Sequence, residues 1–284
     1  MKQNVRLGQL SADLLIAGFI CVTGCGVLPA QAPVFAINPM MMEVEVNPGV
    51  EKTISFEVAG APSADPERGF LVLSLTDWKV QEDGSSYMSE PGSQEGSASP
   101  WVTFSPSSFA LEAGRSRLVR VTMKVPEGTA SGIYRTALFV QERPPATPPP
   151  PGSRIFFVRV RYVFTLYVIV PPVASHPEFV NLELDANAQP PNLICEMKNT
   201  GNRHARPSVA WTLRRAGSAE VLARGKYEST VLMPTATLRE AHALAGVGLS
   251  SGRYEIDAVV DFQDKQPQQS LTRTFEVTVP SAIK

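Results

Sequence analysis

Residues 154–170 read Arg-Ile-Phe-Phe-Val-Arg-Val-Arg-Tyr-Val-Phe-Thr-Leu-Tyr-Val-Ile-Val. The stretch is β-branched and aromatic throughout and holds no Gly, no Pro and no acidic side chain, which is the composition of a strand. Phe156, Val158, Val160 and Tyr162 share one parity, with Arg159 and Arg161 between them. Phe164, Leu166 and Val168 continue that parity. Side chains alternate faces along a strand, so these apolar residues line one face and the two arginines turn to the other. Two proline segments bracket the run. Residues 144–152, Pro-Pro-Ala-Thr-Pro-Pro-Pro-Pro-Gly, read as a polyproline-type arm, because Pro has no N–H to give to a central ladder. Pro171-Pro172 ends the strand and reads as a hinge.

Working outward, the same period of two recurs on both sides of the run. Ile54, Phe56 and Val58 alternate with Ser55 and Glu57; Leu71, Leu73 and Leu75 precede Trp78; Val102 and Phe104 alternate with Trp101, Thr103 and Ser105. Residues 118–123 and 134–140 carry the pattern up to the arm. Beyond the double proline, a second set of short strands is expected near residues 179, 193–198, 209–214, 254–262 and 271–279. A short helical turn is expected within residues 238–244, and no segment shows a full 3.6-residue apolar stripe. Many short strands punctuated by Gly, Pro and Ser predict an all-β protein, with two immunoglobulin-like β-sandwich domains in tandem after a signal segment. The predicted boundaries are 1–35 for the leader, 36–172 for the first sandwich and 173–284 for the second. At roughly 100–200 residues per domain, a chain of 284 residues accommodates two. Residues 83–100, rich in Gly, Ser, Glu and Pro, are expected to form a mobile loop with almost nothing to bury.

The amino terminus reads as an export signal. Lys2 and Arg6 precede an apolar stretch, residues 14–21, which is shorter than the roughly 20 residues needed to span a bilayer. Three processing sites compete. Val22-Thr23-Gly24-Cys25 has the form of a bacterial lipoprotein box, making Cys25 the lipidation candidate with a signal ending at residue 24. Ala30-Gln31-Ala32 precedes an unfavourable Pro33, and Val34-Phe35-Ala36 lacks that defect. The expected location is the bacterial periplasm or cell envelope, with membrane attachment only through a lipid anchor. After processing, Cys195 has no partner for an internal disulfide; on the face of Leu193 and Met197, it reads as a buried structural thiol.

Charge and motif chemistry exclude several classes of function. A formal net charge of −1 lacks the basic excess of a nucleic-acid binder. The three histidines, His176, His204 and His242, have no ligand partners at metal spacing, so neither metal nor cofactor is expected. Asn202-Arg203-His204 reads as an exposed turn, and Asp77, Asp257 and Asp261 as solvated strand edges or turns. Gly248-Leu249-Ser250-Ser251-Gly252 has the G-x-S-x-G form, but an alternating strand follows it where a nucleophile elbow requires a helix. No catalytic residue is assigned, and the chain is not expected to be an enzyme.

With these strands in place, the chain resembles the periplasmic pilus-assembly (fimbrial) chaperones, a family of two-domain immunoglobulin-like proteins, as a divergent member. Several stretches carry the resemblance. They are Asn38-Pro39 with residues 44–49; Trp101-Val102-Thr103-Phe104-Ser105-Pro106; Leu111-Glu112-Ala113-Gly114; Val119-Arg120-Val121; and Gly132-Ile133-Tyr134 through Val140. Asn199-Thr200-Gly201-Asn202, Leu232-Met233-Pro234 and Ser251-Gly252-Arg253-Tyr254 add to it in the second half. The resemblance implies donor-strand complementation: the chaperone lends a strand of its first domain to a pilus or surface-fibre subunit that lacks one. It also implies an outer-membrane usher as a further partner. Phe156, Val158, Val160 and Tyr162 are then the partner-binding residues, each worth roughly 1.5–3 kcal/mol when fully buried. Phe164, Leu166 and Val168 are expected to enter the chain's own core. A competing reading of the run is a central strand covered on both faces. The resemblance places a basic pair for the subunit's terminal carboxylate near residues 40–42 and near Tyr167, and no basic residue stands there. Arg154, Arg159 and Arg161 are the cations nearby in sequence. A second functional reading is a lipid-anchored structural or adhesive envelope protein.

Overall fold

The computed structural model describes residues 35–62, 70–143, 161–264 and 266–278. Residues 1–34 of the expected leader, Cys25 among them, the arm and Phe156, Val158 and Val160 lie outside the described residues; Phe35, expected to end the leader, instead opens the first strand.

The period-two segments form strands, and the described residues contain no α-helix. In the first half these are β1 (Phe35–Asn38), β2 (Met41–Glu45), β3 (Glu51–Gly60), β4 (Phe70–Val80), β5 (Ser86–Ser89), β6 (Val102–Ser105), β7 (Ser108–Ala110), β8 (Ser116–Lys124), β9 (Gly132–Glu142) and β10 (Arg161–Val170). The second half holds β11 (Pro177–Asp185), β12 (Asn192–Asn199), β13 (Ser208–Arg215), β14 (Val221–Glu228), β15 (Thr237–Ala243), β16 (Gly252–Asp261) and β17 (Gln269–Val277). Residues 238–244, expected to include a helical turn, are almost entirely within β15. Pairing with β12 from Lys198 to Asn192 overrides the local pattern.

Each half is an immunoglobulin-like sandwich of two sheets. The first pairs a sheet in the order β1-β3-β8-β6 with one in the order β2-β10-β9-β4-β5, where β7 also flanks β4. Its core is filled from both inner faces, including Phe56, Val58, Leu71, Leu73, Val119, Val121, Leu138, Val140, Phe164, Leu166 and Val168. The second packs β11-β12-β15 against β14-β13-β16-β17 around Leu193, Cys195, Met197, Val209, Leu213, Ile256 and Val260. Cys195 is fully buried as expected, and burial pushes its thiol up to about 11.

A third apolar cluster joins the sandwiches. Trp78, Ile133, Ala137, Tyr167 and Ile169 on the outer face of β4, β9 and β10 pack against Met233, with Val173, Val231 and Ala236 at its margin. Pro171-Pro172, the expected hinge, therefore lies beside a packed apolar junction. Asn202 in the β12–β13 turn reinforces the junction: its Nδ2 donates to the carbonyls of Pro172, at 3.2 Å, and Ser131, at 3.4 Å.

Residues 83–100 correct the expectation of a loop with nothing to bury. They contain β5, and Ala98 and Ser99 are buried. The anchor is Asp77, which is buried rather than solvated. Its Oδ1 accepts hydrogen bonds from Ser99 Oγ at 2.6 Å and Ser97 Oγ at 2.8 Å, and its Oδ2 accepts from the Gln94 amide at 3.1 Å. A buried carboxylate needs such donors, so burying Asp77 and ordering this loop are one event. The turn between β4 and β5 reaches the second sandwich. There the Arg239 amide donates to the Glu82 carbonyl at 2.6 Å and Thr230 Oγ1 to the Gly84 carbonyl at 3.2 Å.

Candidate partner-binding edge and domain cleft

Strand β10 is flanked differently along its length. Antiparallel β9 pairs with it from Arg161↔Gln141 to Val170↔Gly132. Parallel β2 covers its other side only from Thr165↔Met41 to Ile169↔Glu45. The reason is a change of sheet: the chain runs from β1, which pairs with β3 in the opposite sheet, through Asn38-Pro39 into β2. Among the described residues, no strand lies beside residues 161–164 on the β2 side. The hydrogen bonds show which groups face that side. The Thr165 amide donates to the Met40 carbonyl at 2.9 Å, and the Ile169 carbonyl accepts from the Val46 amide at 2.9 Å. Successive residues of a strand direct their backbone groups to opposite edges, so the N–H and C=O of Arg161 and Val163 point to the uncovered side.

Side-chain faces follow the predicted parity. Phe164, Leu166 and Val168 are fully buried in the chain's own core, with Phe164 stacked on Phe56 at 4.2 Å between ring centroids. Tyr162 is half-buried at the margin of that core, edge-on to Phe35 at 4.8 Å. Its ring is therefore partly committed to this chain. Arg161 turns to the opposite face: its guanidinium lies over Phe139 at 4.2 Å, and its Nε donates to Gln141 Oε1 at 2.8 Å.

Where β2 begins, the two sandwiches enclose a cleft of about 490 Å³ whose lining includes Glu43, Arg203, His204, Arg206 and Asp264. The positions near residues 40–42 and Tyr167 carry no cation, and the next residue of β2 is acidic. The second sandwich supplies the cations. Glu43 Oε1 accepts from His204 Nε2 at 2.9 Å and from Arg206 Nη2 at 3.1 Å, while Arg203 Nη2 reaches Glu43 Oε2 at 3.5 Å. Arg206 Nη2 also lies 3.0 Å from Met41 Sδ and its guanidinium 5.4 Å from the Tyr167 ring.

His204 is therefore no exposed turn residue. Its side chain is 3% exposed and packs on Tyr167 at 4.6 Å between ring centroids. Burial pushes the imidazole below its ordinary value, against the pull of Glu43. For Glu43, burial raises the pKa, but His204 and the Arg206 hydrogen bond outweigh it and hold the carboxyl below the usual carboxylate range. At neutral pH the pair is then a carboxylate and a neutral imidazole whose Nε2–H donates. The bare Nδ1 is buried with no hydrogen-bond partner among the described residues. Sequence reasoning missed this site, although Arg203, His204 and Arg206 do crowd three basic side chains into one short loop.

The hydrolase-like pattern resolves as a turn. Ser250 Oγ accepts from Arg215 Nη2 at 2.7 Å and lies 3.4 Å from the Tyr254 hydroxyl, and β16 follows where an elbow needs a helix. Asp257 pairs with Arg214 and accepts from Thr272 Oγ1 at 2.7 Å. Among the described residues, no cluster of three or more His, Cys, Asp or Glu could hold a metal ion.

The chain is similar to solved fimbrial chaperones. A chain from a chaperone–tip adhesin complex of CFA/I fimbriae biogenesis aligns at 14% identity, TM-score 0.45, over 87% of this chain and 99% of that one. The class 5 fimbriae chaperone CfaA aligns at 14% identity, TM-score 0.43, over 87% and 100%. A chain from the CsuC–CsuE chaperone–tip adhesion subunit pre-assembly complex of Acinetobacter baumannii aligns at 16% identity, TM-score 0.44, over 84% and 98%. No family model and no curated protein matches the sequence.

Proposed function

We propose that this protein is a chaperone of the bacterial envelope that captures an immature pilus or surface-fibre subunit by strand addition at β10. The observation that carries this reading is the side of residues 161–164 along which no described strand runs, toward which the N–H and C=O of Arg161 and Val163 point. An extended chain laid there gains main-chain hydrogen bonds at once, because the edge is already in strand geometry. Phe156, Val158 and Val160 share the sequence parity of Tyr162 and Phe164 and supply the apolar side chains for the subunit's open groove.

The cleft fits the same reading. A subunit strand running parallel to β10 ends against Met40 and Met41, which are 51% and 41% exposed. Arg203 and Arg206 are the cations beside that end. They take the place of the basic pair missing near residues 40–42 and Tyr167, and Glu43 holds them there. An usher as a second partner and a lipid on Cys25 belong to this proposal as separable additions.

The test is affinity capture of the mature protein from its native envelope, comparing the natural chain with a Val158→Asp, Val160→Asp double variant. A pilin-like subunit should travel with the first and be lost from the second, while the two circular dichroism spectra coincide. Undiminished capture by a folded double variant would overturn the proposal.

A further inference from the structure

The contact between His204 and Glu43 ties β2 of the first sandwich to the β12–β13 turn of the second, and it is built around an imidazole, whose ordinary pKa is 6.5. The charged and titratable groups around the imidazole are Glu43 from β2, Tyr167 from β10, and Arg203 and Arg206 from its own loop. His176 and Asp264 also line the same cleft. Among the described residues, only Glu43 Oε1 satisfies a ring nitrogen. Nδ1 is buried without an acceptor among the described residues, so a second proton there leaves an unpaired N–H and places a third positive charge beside two guanidinium groups. Attraction to Glu43 opposes this, but Arg203 and Arg206 already share that carboxylate.

We propose that His204 is a proton-operated latch between the two sandwiches: protonation drives its ring out of the slot between Glu43 and Tyr167 and loosens β2 from the second sandwich. The cluster around Trp78 and Met233 carries no charge that changes between about pH 5 and about pH 8, since its Tyr167 is held above its ordinary 10.0, so the movement is an opening of the cleft side with the other side kept closed. Released in this way, Arg203 and Arg206 face the end of the β10 edge with less competition from Glu43.

The sign follows from linkage. The closed junction holds His204 below its ordinary 6.5, so opening takes up a proton. Closure is full above 6.5, weakens as pH falls through 6.5, and stops weakening below the closed-state value. Glu43, also held low, adds a second loss below its ordinary 4.5.

Amide hydrogen exchange of residues 41–45 and 203–206, corrected for intrinsic rates and followed from about pH 8 to about pH 5, reads the opening. In the natural chain, the opening equilibrium should rise by up to about tenfold per pH unit below 6.5. In His204→Gln, whose amide still donates to Glu43 without titrating, the profile should be flat. A flat profile in the natural chain, or a slope that persists in His204→Gln, overturns the latch. An NMR titration of His204 in the unmodified protein gives an independent reading, in which a pKa at or above 6.5 overturns it as well.

Discussion

The two ends of β10 obey the same alternation and have different neighbours. From Thr165 to Ile169 the strand is held by β2 on one side and β9 on the other, its inner face is in the first core, and Tyr167 and Ile169 on its outer face are covered by the second sandwich. From Arg161 to Phe164, β9 alone among the described strands holds it, and the outer face carries an exposed Arg161 and a half-buried Val163. Periodicity reports which face of a strand is apolar. It does not report whether another strand lies alongside, because edge pairing is made by backbone groups common to all non-proline residues. The proposed function depends on that second property.

Four measurements would break or sharpen the comparison. The largest expected effect is at the seam. Phe164→Ala should destabilise the first sandwich by about 3–5 kcal/mol in urea unfolding, since it empties the space against Phe56. A loss below about 1 kcal/mol would mean the weakly held end is not built into the core. Next, Met233→Ala should cost about 2 kcal/mol and let the two sandwiches unfold in separate steps, because Met233 is the second sandwich's buried contribution to the cluster over Tyr167 and Ile169. A single unchanged transition would show that the polar contacts at Glu82, Gly84, Asn202 and Glu43 hold the junction without it.

A pair of proline substitutions then probes the two ends directly. Thr165→Pro removes the donor to the Met40 carbonyl and should cost about 1–3 kcal/mol, whereas Val163→Pro should cost below about 1 kcal/mol. Equal losses at the two positions would place a partner strand beside Val163 already and undo the vacant edge. The smallest effect on stability is expected from Val163→Pro, yet it should abolish subunit capture in the affinity experiment, since it deletes a donor an added strand would use. Capture that survives this change would move the binding surface elsewhere.

Much of the fold was legible in the sequence. The inward parity of Phe164, Leu166 and Val168, the burial of Cys195 beside Leu193 and Met197, and the turn at Ser250 all follow from short-range alternation and composition. The elements that were misread share one physical property: their partners are remote along the chain. Asp77 looked solvated because the serines that satisfy it come from beyond β5. Residues 83–100 looked unanchored for the same reason. His204 looked like a turn residue because Glu43 and Tyr167 reach it from the other sandwich.

The candidate site divides along the same line. Residues 156–162 announced themselves by parity and by their proline brackets, and of these the structure describes Arg161 and Tyr162, with Tyr162 partly claimed by Phe35. The edge beside Val163, along which no described strand runs, had no local signature, and the charge cluster at Glu43 showed only its basic half, in the loop of Arg203, His204 and Arg206.

The sequence by itself determined which residues face inward along each strand, because a side-chain period of two and the hydrophobic effect act between near neighbours. Only the tertiary structure decided where β10 loses its second neighbour and where an acidic strand meets a basic loop. Both depend on how the chain switches sheets at Asn38-Pro39 and on how the second sandwich packs against Trp78 and Tyr167, contacts that no local pattern encodes.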